Sequence, residues 1–148
     1  MKKEIWFDMD GTIADLYGVE DWLPMLIAED ATPYAIAKPL MNMNTLARRL
    51  NALQKLGYKI GIVSWLSKTS SPEYDELVTI AKTTWLARHL PSVKFDKVDI
   101  VAYGTPKWKG RKGILFDDER KNRDEWDVNL AGDAYEPHEI MDVLKALA

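Results

Sequence analysis

Two pairs of aspartates stand where apolar segments end, and their spacing could support acid–base, nucleophilic or metal chemistry. Asp8 and Asp10 lie at positions i and i+2 and are followed by glycine and threonine, which suits a tight turn that directs both carboxylates toward one point. Asp117 and Asp118 end a later apolar segment. Clustered carboxylates repel each other unless a cation lies among them, and hard oxygen ligands favour magnesium over zinc. If the two pairs meet in the fold, they predict a magnesium site.

The first pair has two simpler interpretations when it is considered alone. Aspartate and glycine are common in exposed turns, so the sequence DMDG fits a surface turn as well as a site. An EF-hand calcium loop also begins with aspartate, but its sixth position is glycine and its twelfth is glutamate. Counted from Asp8, these positions are Ile13 and Val19, which excludes that loop.

The elements that would position the aspartates alternate between strands and helices. Apolar runs predict strands at residues 4–7, 58–65, 98–103, 113–118 and 128–132. Helices are predicted at residues 45–57, 71–90, 119–126 and 137–147, with Asn44 as the cap of the first. This order indicates an α/β fold, a three-layer parallel sheet with helices on both faces. Ligands bind at the carboxyl ends of strands in such sheets, where Asp8, Ser64 and Asp117 fall.

An insert after the first strand interrupts the alternation. Residues 17–43 combine apolar clusters with a polar break at Glu29 and Asp30, and they predict two short helices rather than a pair of strands. We therefore expect a single domain over residues 1–148, with a small helical cap insert at about residues 16–44.

Composition excludes several classes of protein. The 148 residues include no cysteine, which rules out disulfides, thiolate metal sites and a cysteine nucleophile. A net charge of −3 argues against binding nucleic acids or anionic membranes by bulk attraction. The sequence contains neither a membrane-length apolar stretch nor a signal-peptide core. We expect a soluble cytoplasmic protein.

Four segments in order resemble the motifs of the haloacid dehalogenase-like (HAD) hydrolases, most of which are magnesium-dependent phosphatases. IWFDMDGTIADL resembles the first motif, and GIVS, which ends in Ser64, resembles the second. A lysine ahead of the last acidic strand and ILFDD resemble the third and fourth. The resemblance spans about residues 3–120 and implies a Rossmann-like fold. Within the family the 5′(3′)-deoxyribonucleotidases are most similar, although their cap is larger than the insert here.

The resemblance implies a role for each acid. Asp8 would be the nucleophile that forms an aspartyl-phosphate. Asp10 would protonate the leaving oxygen and then activate the hydrolytic water. Mg²⁺ would be bound by Asp8, by the backbone carbonyl of Asp10 and by the fourth motif, with Asp117 as a direct ligand and Asp118 acting through water.

The substrate-binding residues follow in the same way. Ser64 and a lysine would hold the phosphoryl oxygens. Lys107 is favoured because it stands ten residues before Asp117, which resembles the spacing in the 5′(3′)-deoxyribonucleotidases. Lys109 is the alternative. Thr12, in the turn after Asp10, and Trp65 are further candidates. A base could stack on Trp65 or on a tryptophan of the insert, although core filling is the commoner role of tryptophan.

These assignments predict a phosphoric monoester hydrolase that acts on a small phosphomonoester, with a nucleoside or deoxynucleoside monophosphate as the first guess. Two alternatives stay open: a phosphatase for a nucleic-acid end or a phosphoprotein, and a catalytically silent binding module of the same fold. A receiver domain is disfavoured, because its phospho-accepting aspartate ends a middle strand and the strand here ends in Ser64. A homodimer is open too, since a neighbouring subunit sometimes completes a small cap in this family.

Overall fold

A five-stranded parallel sheet forms the centre of the computed structural model, which describes residues 3–148. In chain order the strands are β1 (Lys3–Phe7), β2 (Ala14–Asp15), β3 (Lys38–Pro39), β4 (Tyr58–Trp65), β5 (Lys97–Val101), β6 (Ile114–Phe116) and β7 (Ala134–Tyr135). The α-helices are α1 (Trp22–Ile27), α2 (Thr32–Ile36), α3 (Met43–Lys55), α4 (Pro72–His89), α5 (Arg120–Val128) and α6 (Ile140–Leu147). Leu16–Gly18 and Pro137–Glu139 form short 3₁₀ helices.

The strand order β5-β4-β1-β6-β7 puts β1 in the middle of the sheet. Phe7, the last residue of β1, is opposite Ile62 of β4 and Phe116 of β6. The residues that follow these strands therefore meet at one edge, and the Asp8 backbone N–H donates to the Phe116 carbonyl at 2.9 Å. This edge carries both predicted aspartate pairs.

Alternate residues of β1 bury their side chains on opposite faces of the sheet, and helices cover both faces. Ile5 and Phe7 pack in a cluster with side chains of α3 and α6, whereas Trp6 packs on the other face with Trp126 of α5. Spacings of four and three residues bring Leu46, Leu50 and Leu53 to one face of α3, where all three are buried. The predicted three-layer α/β fold is confirmed.

The cap insert contains the two predicted helices, α1 and α2, and two short strands at its base, β2 and β3, were not predicted. β2 and β3 pair antiparallel at the base of the insert, with Ala14 opposite Pro39. A hydrogen bond from the Leu40 N–H to the Ile13 carbonyl at 2.9 Å extends this pairing. Strands of two residues are too short to produce a detectable alternation of apolar and polar residues.

The prediction of a strand at residues 128–132 was wrong. α5 continues to Val128, residues 129–132 form its end and a turn, and the strand is β7. Val128 and Leu130 suggested a buried strand, but they are 76% and 92% exposed. The buried Trp126 anchors α5 on the sheet, because its side chain packs with Trp6 and its indole N–H donates to the Gly113 carbonyl at 3.0 Å.

The start of α3 differs from the prediction by two residues. The side chain of Asn42, rather than Asn44, accepts a hydrogen bond from the Thr45 N–H at 3.0 Å and caps the helix. Within residues 3–148, no helix is long and apolar enough to cross a membrane.

Replacing Leu53 with alanine tests the packing of α3 on the sheet. Leu53 is 0% exposed, so we expect Leu53→Ala to lower the free energy of unfolding by about 2–5 kcal/mol in urea titrations. Leu56→Ala is the control, because Leu56 is 63% exposed, and it should change stability by no more than about 0.5 kcal/mol. Equal losses in both variants would contradict this packing.

Candidate active site

Asp8, directly after β1, is held by two donors. Its Oδ1 accepts a hydrogen bond from Lys107 Nζ at 2.9 Å, and its Oδ2 accepts one from Thr12 Oγ1 at 3.0 Å. Lys107 Nζ also donates to Asp117 Oδ2 at 2.7 Å, so a single ammonium group joins the acids that follow β1 and β6. All of these side chains are buried, and pairing makes buried charges tolerable.

The two turns at the sheet edge are locked together. Thr12 Oγ1 accepts a hydrogen bond from the Asp118 backbone N–H at 3.1 Å. Gly11 has a φ of +79°, and a Cβ at this position would collide with the Asp118 carboxylate. Only glycine fits this turn, because it tolerates positive φ and has no Cβ. Thr12 is fully buried, and its hydroxyl links the two turns by these hydrogen bonds. Its assignment to substrate binding stays a prediction.

Asp117 receives two further hydrogen bonds from the start of α5. The Glu119 backbone N–H donates to its Oδ1 at 2.9 Å, and Asn122 Nδ2 donates to its Oδ2 at 3.2 Å. Asn122 was not predicted from the sequence. Its signal was its position four residues before Trp126, on the buried face of a helix that is otherwise polar.

Lys107, and not the exposed Lys109, is brought to the acids. The segment that carries it is anchored by Arg111, whose Nε and Nη2 donate to Asp99 Oδ2 on β5 at 3.1 and 2.8 Å. Arg111 Nη1 also donates to the Lys107 carbonyl at 3.2 Å, and its guanidinium lies over the Trp6 ring. Sequence reasoning missed Arg111, because it stands among solvated lysines.

Asp10 is paired with a second buried lysine, Lys82 of α4, which the sequence analysis did not single out. Lys82 Nζ donates to Asp10 Oδ2 at 2.8 Å, to Ser64 Oγ at 2.7 Å and to the Trp65 carbonyl at 2.7 Å. A lysine in an amphipathic helix is expected on the solvent side. Its spacing of four residues from Val78 puts it on the buried face of α4. The sequence does not reveal which face is buried, because Leu77 and Ile80 of the same helix are exposed.

Burial and mutual repulsion shift the pKa values of these acids. Burial raises the pKa of Asp118 to about 8, with a further contribution from the Asp8 charge. Burial and the Asp8 charge also raise the pKa of Asp117 to about 6, against the opposing effect of Lys107. Burial would raise the pKa of Asp8 as well, but Lys107 lowers it below its usual value. Asp8 is therefore the acid best stabilised as a carboxylate.

Three of the acids could hold one metal ion. Carboxylate oxygens of Asp8, Asp117 and Asp118 lie within 4.8 Å of one another. An all-oxygen donor set of this kind fits Mg²⁺. The Asp10 side chain is not in this group and is paired with Lys82 instead. The Asp10 backbone carbonyl as a metal ligand stays a prediction.

A cavity of about 490 Å³ opens above the acids and extends to the cap insert. Asp8, Asp10 and Lys107 form its floor, and Trp65 and Trp22 are on its walls. The Trp65 ring lies 5.2 Å from Lys107 Nζ, and its indole N–H donates to the Thr105 carbonyl at 2.8 Å. Trp65 thus lines the predicted site.

Ser64 is farther from the cavity than expected. It is 0% exposed, is not among the cavity-lining residues, and its Oγ accepts the hydrogen bond from Lys82. Its assignment to phosphate binding stays a prediction.

Comparison with known proteins identifies the fold. No protein-family model and no curated protein matches the chain. Among solved structures, D,D-heptose 1,7-bisphosphate phosphatase from Burkholderia thailandensis superposes with a TM-score of 0.54 and 12% identity, over 90% of this chain and 92% of that chain. The D,D-heptose 1,7-bisphosphate phosphatase from B. bronchiseptica, complexed with magnesium and phosphate, gives a TM-score of 0.53 and 11% identity, over 89% and 78% of the two chains.

These likenesses show the fold. The chain has the Rossmann-like α/β fold that its sequence predicted, and it shares this fold with the two phosphatases. The resemblance of its motifs to those of the HAD hydrolases stays a prediction. The closer likeness to deoxyribonucleotidases stays a prediction.

The acidic cluster predicts magnesium binding that can be measured without any substrate. Mg²⁺ at a hundred times its Kd should stabilise the protein by about 2.7 kcal/mol and raise its Tm. Asp117→Asn should remove most of this Mg²⁺-dependent shift. Asp124→Asn is the control, because Asp124 is an exposed acid of α5 and should leave the shift unchanged. NaCl at matched ionic strength separates binding from screening, and a full shift in Asp117→Asn would contradict the metal site.

Proposed function

We propose that this chain is a magnesium-dependent phosphatase that hydrolyses a phosphomonoester through an aspartyl-phosphate on Asp8. The observation that carries the proposal is Lys107 Nζ, which bridges Asp8 at 2.9 Å and Asp117 at 2.7 Å on the floor of the cavity. A nucleophilic carboxylate with a cation beside it is what attack on a phosphoryl group requires. The complex of a fold neighbour with magnesium and phosphate supports the same chemistry.

The first step transfers the phosphoryl group to the protein. A carboxylate oxygen of Asp8 attacks phosphorus, and the bond between phosphorus and the ester oxygen breaks. Protonated Asp10 gives its proton to that oxygen, which leaves as an alcohol. Burial raises the pKa of Asp10 despite the opposing charge of Lys82, so the side chain can carry this proton. Lys107 stabilises the charge on the phosphoryl oxygens.

The second step releases phosphate and restores the protein. Asp10, now a carboxylate, takes a proton from a water molecule that attacks the phosphorus of the aspartyl-phosphate. The bond between phosphorus and the Asp8 oxygen breaks, and inorganic phosphate leaves. Asp8, Asp117 and Asp118, with the backbone carbonyl of Asp10, would hold Mg²⁺, which supplies charge neutralisation when bound.

We also propose that residues 1–148 form one domain that includes the cap insert. Leu16 and Tyr34 of the insert share a buried cluster with Tyr74 and Val78 of α4. The indole N–H of Trp85 donates to the Ala37 carbonyl at 2.8 Å. The insert and the sheet domain therefore have a common core, which favours one folding unit.

The substrate that we propose first is a nucleoside monophosphate. A cavity of about 490 Å³ has the size of a small-molecule site. Its aromatic walls suit a flat base: Trp22 packs edge-on against Tyr17 at 4.9 Å, and Trp65 packs against Tyr103 at 5.0 Å. The two fold neighbours are named as phosphatases of a sugar bisphosphate, so the same test includes sugar phosphates.

A panel of phosphomonoesters tests the activity. Phosphate release should require Mg²⁺ and should fall to background in Asp8→Asn, since amide nitrogen or oxygen cannot replace the carboxylate nucleophile. The panel contains 5′- and 3′-nucleotides, sugar phosphates, a phosphopeptide and an oligonucleotide with a terminal phosphate. Preference for the oligonucleotide with strong inhibition by salt would favour a nucleic-acid end as the substrate. The absence of turnover on every ester by folded, Mg²⁺-loaded protein would refute the proposal.

Trp22 tests the nucleotide assignment. Stacking of a base contributes about 1–3 kcal/mol, so Trp22→Ala should raise KM for a nucleoside monophosphate by about 5- to 150-fold. KM for a sugar phosphate should change little. Ile36→Ala is the control, because Ile36 is an exposed residue of the insert that does not line the cavity. Equal rises in KM for both substrates would argue against base stacking.

A further inference from the structure

Lys82 is a buried cation whose hydrogen bonds are all used. Its side chain is 1% exposed, and its three donors go to Asp10 Oδ2, Ser64 Oγ and the Trp65 carbonyl at 2.7–2.8 Å. An ammonium group has three N–H donors, so this set satisfies it completely. None of these bonds goes to the acids that could hold a metal. Lys82 is therefore tied to Asp10 alone among the aspartates of the site.

The environment of Lys82 fixes its position. It extends from the middle of α4 to the carboxyl end of β4, and its Nζ lies 5.0 Å from the centre of the Tyr34 ring in the cap insert. The Tyr34 hydroxyl is hydrogen-bonded at 2.5 Å to Ser67, which lines the cavity. Burying an ion pair here is costly for stability, and a pair of apolar side chains would fill the same space without that cost.

The two oxygens of Asp10 are in different environments. Oδ2 accepts the bond from Lys82, whereas Oδ1 has no hydrogen-bond partner among the described residues, and Asp10 lines the cavity. With Oδ2 anchored, the carboxyl group cannot rotate freely, and Oδ1 is the oxygen that can give or take a proton. A proton donor must be held within hydrogen-bond reach of the leaving oxygen to be effective.

We propose that Lys82 is a positioning residue that fixes Asp10 for proton transfer to the leaving group and from the hydrolytic water. This inference rests on the proposed function. The two buried lysines contact different acids: Lys107 is beside the nucleophile, where it can contact the phosphoryl group, and Lys82 contacts Asp10.

The test compares two kinds of ester. p-Nitrophenolate leaves readily without a proton, whereas the alkoxide of an alkyl phosphate must be protonated as it leaves. Displacement of a catalytic group by about 1 Å can cost about 100-fold, so Lys82→Met should lower kcat/KM about 100-fold for the best alkyl phosphate of the panel. The loss for p-nitrophenyl phosphate should be less than about 10-fold, because positioning of Asp10 matters less there.

Three further variants are compared with Lys82→Met on the same two esters. Asp10→Asn should show the same selective loss. Lys107→Met should lower kcat/KM for both esters, by about 100- to 1,000-fold, because charge stabilisation at phosphorus is needed whatever the leaving group. Arg88→Met is the matched control, since Arg88 is an exposed cation on the same helix, and it should change neither value.

A double variant keeps the test decisive if Lys82→Met does not fold with Asp10 left unpaired. Asp10→Asn combined with Lys82→Met removes both charges of the pair. On p-nitrophenyl phosphate it should be within about 2-fold of Asp10→Asn, because residues that act through one another are not additive. A further loss of about 10-fold, or equal losses on both esters in Lys82→Met, would overturn this inference and leave the phosphatase intact. No turnover by the wild-type protein would overturn both.

Discussion

Repulsion among carboxylates at one edge of the sheet is the constraint on which the rest of the site depends. Asp8 and Asp117 are buried close together, and without compensation they could not both be ionised. Lys107 is placed between them, and a second lysine, Lys82, is placed against Asp10. The chain thus buries two ammonium groups, which cores otherwise avoid, and they compensate the charges of the buried acids.

The parallel sheet brings together residues that are far apart in the sequence. Lys107 is 99 residues from Asp8, and Lys82 is 72 residues from Asp10. Because all five strands run in the same direction, their carboxyl ends and the segments that follow them converge without special connections. Asp8 and Asp10 are then paired with different lysines, so the two carboxylates are held independently.

Much of this fold could be predicted from the sequence. The apolar runs of β1 and β4 and the leucine spacing of α3 are strong local signals, and the structure agrees with them. The predictions failed where the local signal was weak or misleading. The two-residue strands β2 and β3 have no periodicity to detect, and the apolar residues after Trp126 are exposed at a helix end.

By itself, the sequence determined which acids stand at strand ends, because a strand must end where its apolar run ends. Asp8, Asp10, Asp117 and Asp118 could therefore be assigned to one edge of a sheet before any coordinates were known. Only the tertiary structure decided which cation pairs with which acid. Lys82 was hidden in a helix, and Lys107 was one of several nearby lysines. The pairing energy of a buried charge depends on distances of a few ångströms between remote segments, and no local pattern encodes those distances.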